Sequence, residues 1–294
     1  MNTPFFSIVI PTYNRANFIG NTIESLINQT FTDFEIIVVD DGSTDNTGEV
    51  VKAIADPRVF YYKKENAERG AARNYGAQKA QGKYINFFDS DDLAYPNHLA
   101  EAKKLIDKHN NPEVFALGYD IKNEAGKIIR KREPFTNINK QLIYGNLLSC
   151  NGVFVRKDIA LQHPFSEIRE LSASEDYLLW LQLASKFTFY FSNTSTSAII
   201  EHDNRSVLSI NKEKLIKRKE LMLAMALNDS IIHSFYKNKI NILKANTYSY
   251  IALHLAMANE KKEARNYFIK TLKISPAYLF TKRSLAIVKY LFFR

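Results

Sequence analysis

The first 120 residues alternate between two hydrophobic periods. Four continuous apolar runs predict buried strands, at 7–10, 34–39, 59–62 and 84–88. Between these runs, apolar residues recur three and four positions apart, as at Ile19, Ile23, Leu26 and Ile27, which predicts helices. Because strands that alternate with helices pair in parallel, the pattern indicates an open, mostly parallel α/β sheet with helices on both faces.

The pattern changes beyond residue 120. The middle of the chain is less regular, with short strands predicted at 114–119 and 152–155 and an amphipathic helix at 175–184. From residue 212 onward the chain is predicted to be helical throughout, with helices at roughly 212–234, 240–257, 261–273 and 277–292. We therefore predict two domains, an α/β domain over 1–211 and an all-α region over 212–294.

The charge distribution supports a boundary at the same place. The chain has 294 residues and a net charge of +9, but residues 212–294 alone hold 17 Lys and Arg against 5 Asp and Glu. The last 83 residues therefore carry a net charge of +12, and the preceding part is slightly acidic at −3.

Composition also restricts the cellular compartment. Cys150 is the single cysteine, which excludes an internal disulfide and fits a reducing environment. The first residues lack the basic segment of a signal peptide. No apolar run approaches the ~18 residues that are needed to span a bilayer. These features predict a cytoplasmic protein.

Polar clusters follow three of the predicted strands, at 12–14, 40–43 and 89–92. In an open α/β sheet, ligands bind beyond the carboxyl ends of the strands, so we expect the clusters to converge. The last cluster places Asp89, Asp91 and Asp92 within four residues. Such a concentration of carboxylates favours a divalent metal, although Asp-rich turns also occur without one. It is not an EF-hand loop, because the Gly and the distal Glu are missing.

Together, these segments resemble the family 2 glycosyltransferases, which have the GT-A fold. The resemblance rests on SIVIPTYN at 7–14, FEIIVVDDGSTD at 34–45, RGAARN at 69–74, GKYI at 82–85, DSDD at 89–92 and EDYLLW at 175–180. It fades after about residue 205. One segment departs from the family pattern, because His163-Pro164-Phe165 stands where the family has a Gly-Gly-Phe-like turn on the acceptor side.

The resemblance implies a nucleotide-diphosphate sugar as donor, with UDP, GDP or dTDP as the nucleotide. It also implies a divalent metal, Mn²⁺ or Mg²⁺, at the family's DxD element. Asp91 is the best candidate ligand, and Asp89 contributes either directly or by binding the ribose beside Ser90. Asp92 is interpreted as the cap of the next helix, the alternative being metal ligation.

The first strand end is expected to bind the nucleotide. The resemblance implies that the backbone around Pro11, Thr12, Tyr13 and Asn14 encloses the base and ribose. The Tyr13 ring either stacks on the base or has a plain packing role.

Two further residues are assigned to the donor by the same resemblance. Asp41 accepts a hydrogen bond from the base, the alternative being a helix-capping turn. Arg73 carries a planar, permanently charged group that suits phosphate or ribose contacts, the alternative being an exposed helix arginine.

On the acceptor side, the resemblance implies that Asp176 is the general base and that Glu175 binds the acceptor. Acids at a helix start also stabilise the helix dipole without any catalytic role. A single base opposite the leaving group gives inversion, as in the family. His202 is a candidate contact for the metal or the diphosphate, supported by Arg205 and Ser206 nearby, or else an ordinary structural histidine.

The basic C-terminal region has three competing interpretations. It is a solvated helical face, or a membrane-surface contact in which residues 290–293 insert shallowly, or a partner module. The third interpretation rests on residues 264–276, which look like the second helix of a tetratricopeptide repeat. No recognition motif supports nucleic-acid binding.

The predicted function is metal-dependent, inverting sugar transfer from a nucleotide-sugar to a hydroxyl of a glycan or lipid-linked acceptor. By family analogy this serves bacterial surface polysaccharide synthesis, in the cytoplasm or on the inner membrane face. A sugar-nucleotide-forming nucleotidyltransferase is the nearest alternative, but residues 11–15 lack the glycines of its N-terminal loop. A non-catalytic sugar-nucleotide-binding or scaffolding protein on the same fold is the other.

Overall fold

The computed structural model describes residues 3–130, 132–202 and 211–292. Its strands form one continuous mixed sheet. Their bounds are β1 Phe6–Thr12, β2 Phe34–Asp40, β3 Val59–Lys63, β4 Tyr84–Phe87, β5 Leu93–Ala94, β6 Val114–Asn123, β7 Ile128–Arg130, β8 Val153–Arg156 and β9 Phe189–Glu201. The four strands that the apolar runs predict in the first 120 residues are all present.

Twelve α-helices are seen in the described ranges. Their bounds are α1 Ala16–Ile27, α2 Thr47–Lys52, α3 Glu68–Lys79, α4 His98–Lys108, α5 Ile138–Gln141, α6 Lys157–Gln162, α7 Glu175–Lys186, α8 Lys212–Asn228, α9 Ser230–Phe235, α10 Ile240–Met257, α11 Lys261–Ile274 and α12 Lys282–Phe292. The helix predicted at 212–234 is divided into α8 and α9. The division falls at Asp229, whose carboxylate accepts hydrogen bonds from the first backbone amides of α9 and caps it.

The strand order along the sheet is β3-β2-β1-β4-β8-β6-β9-β5, with β7 paired to β6. The first four strands in this order are parallel to one another, as predicted. β8 then joins β4 and β6 in antiparallel pairing, and β6 and β9 are parallel. The carboxyl ends of β1, β2 and β4 therefore lie at one edge of the sheet, with Thr12 directly beside Asp40.

Helices cover both faces of the sheet. One apolar core joins the sheet to α1 and α4 through residues such as Ile23 and Leu99. The core on the opposite face includes Ala72 of α3 and Trp180 of α7. Because each central strand is buried on both sides, its sequence is a continuous apolar run instead of an alternating one.

The C-terminal helices share part of this second core. Met222 of α8 and Leu243 of α10 belong to the same buried cluster as the sheet. A separate cluster, which includes Ile251, Phe268 and Ile287, holds α10, α11 and α12 together. The domain division at residue 211 stays a prediction, but α8 and α10 are packed against the α/β unit. None of the helices described combines the length and apolar character that crossing a membrane requires.

Candidate active site

The loops after β1 and β2 are joined by hydrogen bonds. The Asn14 amide donates to Ser43 Oγ at 2.9 Å, and the Thr44 amide donates to Asn14 Oδ1 at 2.9 Å. Asn14 has a positive φ of 50°, a conformation that Asn tolerates better than most residues. Two of the three predicted polar clusters therefore form a single rigid edge.

The Asp41 carboxylate is buried within this edge. Its Oδ1 accepts hydrogen bonds from Lys64 Nζ at 2.8 Å and from the Ala67 amide at 3.0 Å. The residue preceding α2 is Asn46, and Thr47 at the helix start bonds to Asp45, so Asp41 takes no part in capping that helix. The base-binding role of Asp41 stays a prediction.

The residues before Asn14 differ in exposure. Pro11 and Thr12 end β1 and are buried, and Thr12 Oγ1 has no hydrogen-bond partner among the residues described. Tyr13 is 47% exposed, so its ring lies at the surface and is accessible for stacking.

Small residues in α3 bring this helix close to the sheet and to the loop before α7. A Cβ on Gly76 would lie 2.3 Å from Val9 Cγ1, and a Cβ on Gly70 would lie 2.3 Å from the Ser166 carbonyl oxygen. Asn74 exchanges two hydrogen bonds with the backbone of Phe165. This packing explains the glycines of the 69–76 segment.

Arg73 is buried at the centre of the site, with 2% of its surface exposed. Its Nη1 donates to Glu175 Oε1 at 2.6 Å, and its Nη2 donates to Asp89 Oδ1 at 2.8 Å. The guanidinium also lies 5.1 Å from the centre of the Phe165 ring. Arg73 is therefore not an exposed helix arginine. It connects the DxD element to the start of α7.

Asp91 is directed to a different set of partners. Its Oδ2 lies 3.2 Å from His202 Nε2 and 3.3 Å from Arg15 Nε. The His202 ring stacks on Phe18 at 4.4 Å, and its Nδ1 is buried without a partner in the part of the chain described. The structure thus brings His202 next to Asp91. Arg205 and Ser206, which the sequence places nearby, lie outside the described residues.

Asp92 is not a helix cap, which corrects the prediction. The helix that follows begins at His98, after Asn97. Asp92 is fully buried, where its carboxylate accepts hydrogen bonds from Asn151 Nδ2 at 2.7 Å and from the Ile200 amide at 2.9 Å. It therefore connects the turn after β4 to β9.

Asn151 and Thr22 hold the Asp-rich turn from either side. Asn151 Oδ1 accepts a hydrogen bond from the Asp89 amide at 2.8 Å. Thr22 Oγ1 lies within hydrogen-bond distance of the carbonyl oxygens of Ser90 and Asp92. Neither residue was identified from the sequence, because a single Asn or Thr about 60–70 positions away gives no sign of which turn it contacts.

The donor atoms present fit a metal that is shared with a phosphorylated ligand. Asp91 and His202 offer one oxygen and one nitrogen close together, and the buried Nδ1 of His202 has no hydrogen-bond partner among the residues described. No three His, Cys, Asp or Glu side chains within the described ranges converge as a metal cage. Because Mg²⁺-type sites commonly combine one or two carboxylates with substrate phosphates, the protein would supply only part of the coordination.

Glu175 and Asp176 begin α7, as the sequence indicates. Glu175 is buried and uses both carboxylate oxygens within the protein, on Arg73 and on the Ser174 amide. Asp176 Oδ2 accepts a hydrogen bond from Asn146 Nδ2 at 2.8 Å. Burial, followed by the nearby charge of Glu175, raises the pKa of Asp176 above its ordinary value. A carboxylate with a raised pKa is a suitable proton acceptor.

A cavity of about 620 Å³ connects these groups. Asp89, Arg73, Glu175 and Asp176 line one side of it. The C-terminal helices also line the cavity, through Lys219 and Met222 of α8, Asn246, Thr247 and Tyr250 of α10, and Arg283 of α12. The sequence analysis did not connect the basic C-terminal region with the site.

The comparisons with known proteins agree with this architecture. Residues 7–161 match the family described as Glycosyl transferase family 2, which is more than half of the chain. The chain therefore belongs to the family 2 glycosyltransferases.

Two relatives illustrate the range of lengths in the family. An uncharacterized glycosyltransferase of Rickettsia bellii is 31% identical over 245 residues, which cover 81% of this chain but only 34% of that protein. The chain thus spans about a third of the length of that relative. The Escherichia coli protein WfgD, a UDP-Glc:alpha-D-GlcNAc-diphosphoundecaprenol beta-1,3-glucosyltransferase, is 29% identical, with 80% of this chain and 92% of WfgD covered.

Solved structures show the same GT-A fold at low sequence identity. Staphylococcus aureus TarS, residues 1–349 with UDP-GlcNAc, has a TM-score of 0.65 and 20% identity, over 93% of this chain and 91% of the other. The mannosyltransferase PcManGT of Pyrobaculum calidifontis, in complex with GDP-Man and Mn²⁺, has a TM-score of 0.59 and 17% identity, over 100% and 89%. The predicted fold class is confirmed.

Proposed function

We propose that the protein is a metal-dependent, inverting glycosyltransferase that moves a sugar from a nucleotide-diphosphate donor to a hydroxyl of a glycan or lipid-linked acceptor. One observation carries the proposal. The DxD residue Asp89 and the carboxylate Asp176 line the same cavity, from different elements, with Arg73 connecting them through Glu175.

The donor is proposed to lie along the edge formed by the loops after β1, β2 and β4. The backbone of residues 11–14 and the Asp41 carboxylate would contact the nucleotide, with Tyr13 exposed at the entrance. The nucleotide is UDP, GDP or dTDP. The complexes of TarS with UDP-GlcNAc and of PcManGT with GDP-Man support this donor class.

The metal is proposed to be Mn²⁺ or Mg²⁺, held by Asp91 with His202 and Asp89 as further candidates. When bound, such an ion stabilises the negative charge of a leaving diphosphate as a Lewis acid. Arg15 lies on the same Asp91 oxygen. Arg73 fixes Asp89 and Glu175 through one N–H of each Nη, and its Nε has no hydrogen-bond partner in the part of the chain described.

Asp176 is proposed to take the proton from the acceptor hydroxyl. Asn146 orients its carboxylate, and its raised pKa increases its strength as a base. Attack from the Asp176 side, opposite the leaving group, would invert the anomeric configuration. Glu175 is proposed to shape the acceptor side through Ser174 and Arg73.

The acceptor is proposed to be lipid-linked, in bacterial surface polysaccharide synthesis, with the protein at the inner face of the cytoplasmic membrane. Phe280, Leu285 and Phe292 are 85%, 66% and 63% exposed, beside the exposed Lys282 and Lys289. Apolar and basic side chains on one surface suit an anionic leaflet. Equal sedimentation with phosphatidylglycerol and phosphatidylcholine vesicles would refute this location.

A non-catalytic sugar-nucleotide-binding protein on the same fold is the second candidate. It predicts nucleotide binding without turnover. Hydrolysis of a panel of nucleotide-sugars with Mn²⁺ present distinguishes the two, because slow donor hydrolysis needs no acceptor. We expect release of a nucleoside diphosphate from one donor class, and its loss in Asp91→Ala. If no donor is hydrolysed although nucleotides bind tightly, the protein is a non-catalytic sugar-nucleotide-binding protein and not an enzyme.

A further inference from the structure

The C-terminal helices contribute two cations to the cavity, Lys219 and Arg283, that form no salt bridge with the residues described, although Asp176 and Glu175 are near enough for their charges to favour the protonated form of Lys219. Neither forms an ion pair with any acid among the described residues. Buried charges are normally paired, because removing a charge from water costs free energy that only a partner offsets. Two unpaired cations on one cavity wall therefore call for an explanation.

Lys219 is held next to the candidate base. Its Nζ donates a hydrogen bond to Ser174 Oγ at 3.0 Å and lies 4.6 Å from the centre of the Tyr250 ring. Ser174 directly precedes Glu175 and Asp176, so Lys219 is positioned at the start of α7. Burial, followed by the charge of Arg218, lowers the pKa of Lys219 to about 8. Lys219 is therefore still protonated near neutral pH, although burial disfavours its charged form.

Arg283 is anchored by only one end of its guanidinium. Nη1 donates to the Asn246 carbonyl and side-chain oxygens and to Ser249 Oγ, at 3.1, 2.6 and 3.0 Å. Its Nε and Nη2 make no hydrogen bond to the residues described. Burial lowers the pKa of Arg283. The remaining N–H groups are donors without an acceptor, in a geometry that suits an oxyanion.

The donor does not account for these cations. Asp91, Arg15 and His202, at the proposed diphosphate end, are absent from the cavity lining; Asp89 shares the lining with Lys219, Arg283 and Asp176 but is already paired with Arg73. An anion bound by them would lie on the acceptor side of the base.

We propose that Lys219 and Arg283 form a subsite for a phosphate-type oxyanion of the acceptor, which places the acceptor hydroxyl at Asp176. This inference rests on the proposed function and narrows the acceptor to phosphorylated molecules. Either a diphosphate-linked sugar or a phosphodiester polymer would present the required group. The C-terminal helices then act as the acceptor-recognition element of the enzyme.

The test measures binding of radiolabelled inorganic phosphate to the full chain by equilibrium dialysis, with chelator present so that no metal recruits phosphate to Asp91. Replacing both cations, in Lys219→Met/Arg283→Met, should weaken phosphate binding about ten- to hundred-fold, since hydrogen bonds to charged groups contribute about 1.5–3 kcal/mol. Lys217→Met/Lys282→Met is the matched control. It removes two exposed cations from the same two helices and should leave the affinity unchanged.

Equal affinity in the wild type and in both double variants would overturn the subsite, and so would an equal loss in both. If Lys219→Met/Arg283→Met does not fold, the wild-type protein alone still tests whether the subsite binds phosphate. Phosphate should protect Lys219, but not Lys217, from acetylation as measured by mass spectrometry, and equal modification would reject the proposal. Because the phosphate-binding test contains no nucleotide-sugar, a negative result refutes the subsite without bearing on the donor-hydrolysis test of the proposed function.

Two further probes distinguish the sources of the oxyanion. Tighter binding of ethyl diphosphate than of diethyl phosphate supports a diphosphate-linked acceptor, and the reverse supports a phosphodiester polymer. If neither binds more weakly to Lys219→Met/Arg283→Met than to the control, the subsite is refuted.

Discussion

Two sets of charged side chains face the same cavity, and they are arranged in opposite ways. On the sheet side, Arg73 is shared by Asp89 and Glu175, so each charge has a partner. On the side of the C-terminal helices, Lys219 and Arg283 form hydrogen bonds to neutral groups and no salt bridge within the described ranges. Arg73 is therefore paired with carboxylates within the folded protein, whereas Lys219 and Arg283 form no ion pair with the residues described.

The difference separates two tasks. Groups that must be held in place for chemistry gain from partners that restrict their side chains before the substrate arrives. Groups that recognise a charged ligand must keep their hydrogen-bonding capacity for that ligand. Until it binds, their unpaired charges lower the stability of the folded protein. Removing a charge should therefore destabilise the sheet side and stabilise the helical wall.

The largest effect is expected at the candidate base, which belongs to the ordered side. Asp176→Asn keeps the shape and one acceptor oxygen for Asn146 or the Tyr177 amide but cannot accept a proton, so transfer should fall by about 10²–10⁴-fold. Donor binding, measured by calorimetry, should be unchanged. In the wild type the rate should rise with pH through the raised pKa of Asp176, because only the ionised carboxylate is a base.

Asp229→Asn is the control for that variant, since Asp229 also begins a helix and Asn also caps one. It should keep full activity. Wild-type rates in Asp176→Asn would exclude Asp176 as the base.

The next effect concerns the paired charges. Arg73→Met leaves Asp89 and Glu175 without their cation, and breaking a buried ion pair in this way typically costs about 3–5 kcal/mol. The free energy of unfolding in urea measures it. Arg169→Met removes the exposed partner of Glu68 and should cost about 0–1 kcal/mol. A loss no larger in Arg73→Met than in Arg169→Met would show that the sheet-side pairing does not stabilise the fold.

The smallest effect has the opposite sign. Lys219→Met should raise the midpoint of thermal unfolding, because an apolar side chain replaces a cation that burial disfavours. The pKa of Lys219 is lowered to about 8 from 10.5, so the unfolded chain binds the extra proton between these values and wild-type stability rises with pH there. The advantage of the variant should thus be full below about pH 8 and shrink above it.

Matched thermal scans of wild type and variant across that pH range provide the measurement. A lower midpoint in Lys219→Met at neutral pH would mean that Lys219 stabilises the fold. The two sets of charges would then not differ in the sign of their effect on stability.

Much of the sheet could be predicted from the sequence, for a local reason. Each central strand is a continuous apolar run because both of its faces are covered, and the polar residues that follow it mark its end. The antiparallel strands of the second half were harder to predict, because β8 pairs with strands that are 30 or more residues away. The position of Asp92 shows the same limit. It precedes a helix in sequence, but its carboxylate contacts Asn151 and Ile200.

By itself, the sequence determined the family, the four parallel strands, the acids at 89, 91, 175 and 176, and the basic character of the last 83 residues. These are properties of short segments, which depend on spacing and composition. Only the tertiary structure decided that Arg73 is shared by Asp89 and Glu175, that His202 meets Asp91, and that Lys219 and Arg283 line the cavity of Asp176. Such contacts join residues up to 111 positions apart, and side-chain packing, which no local pattern encodes, selects them.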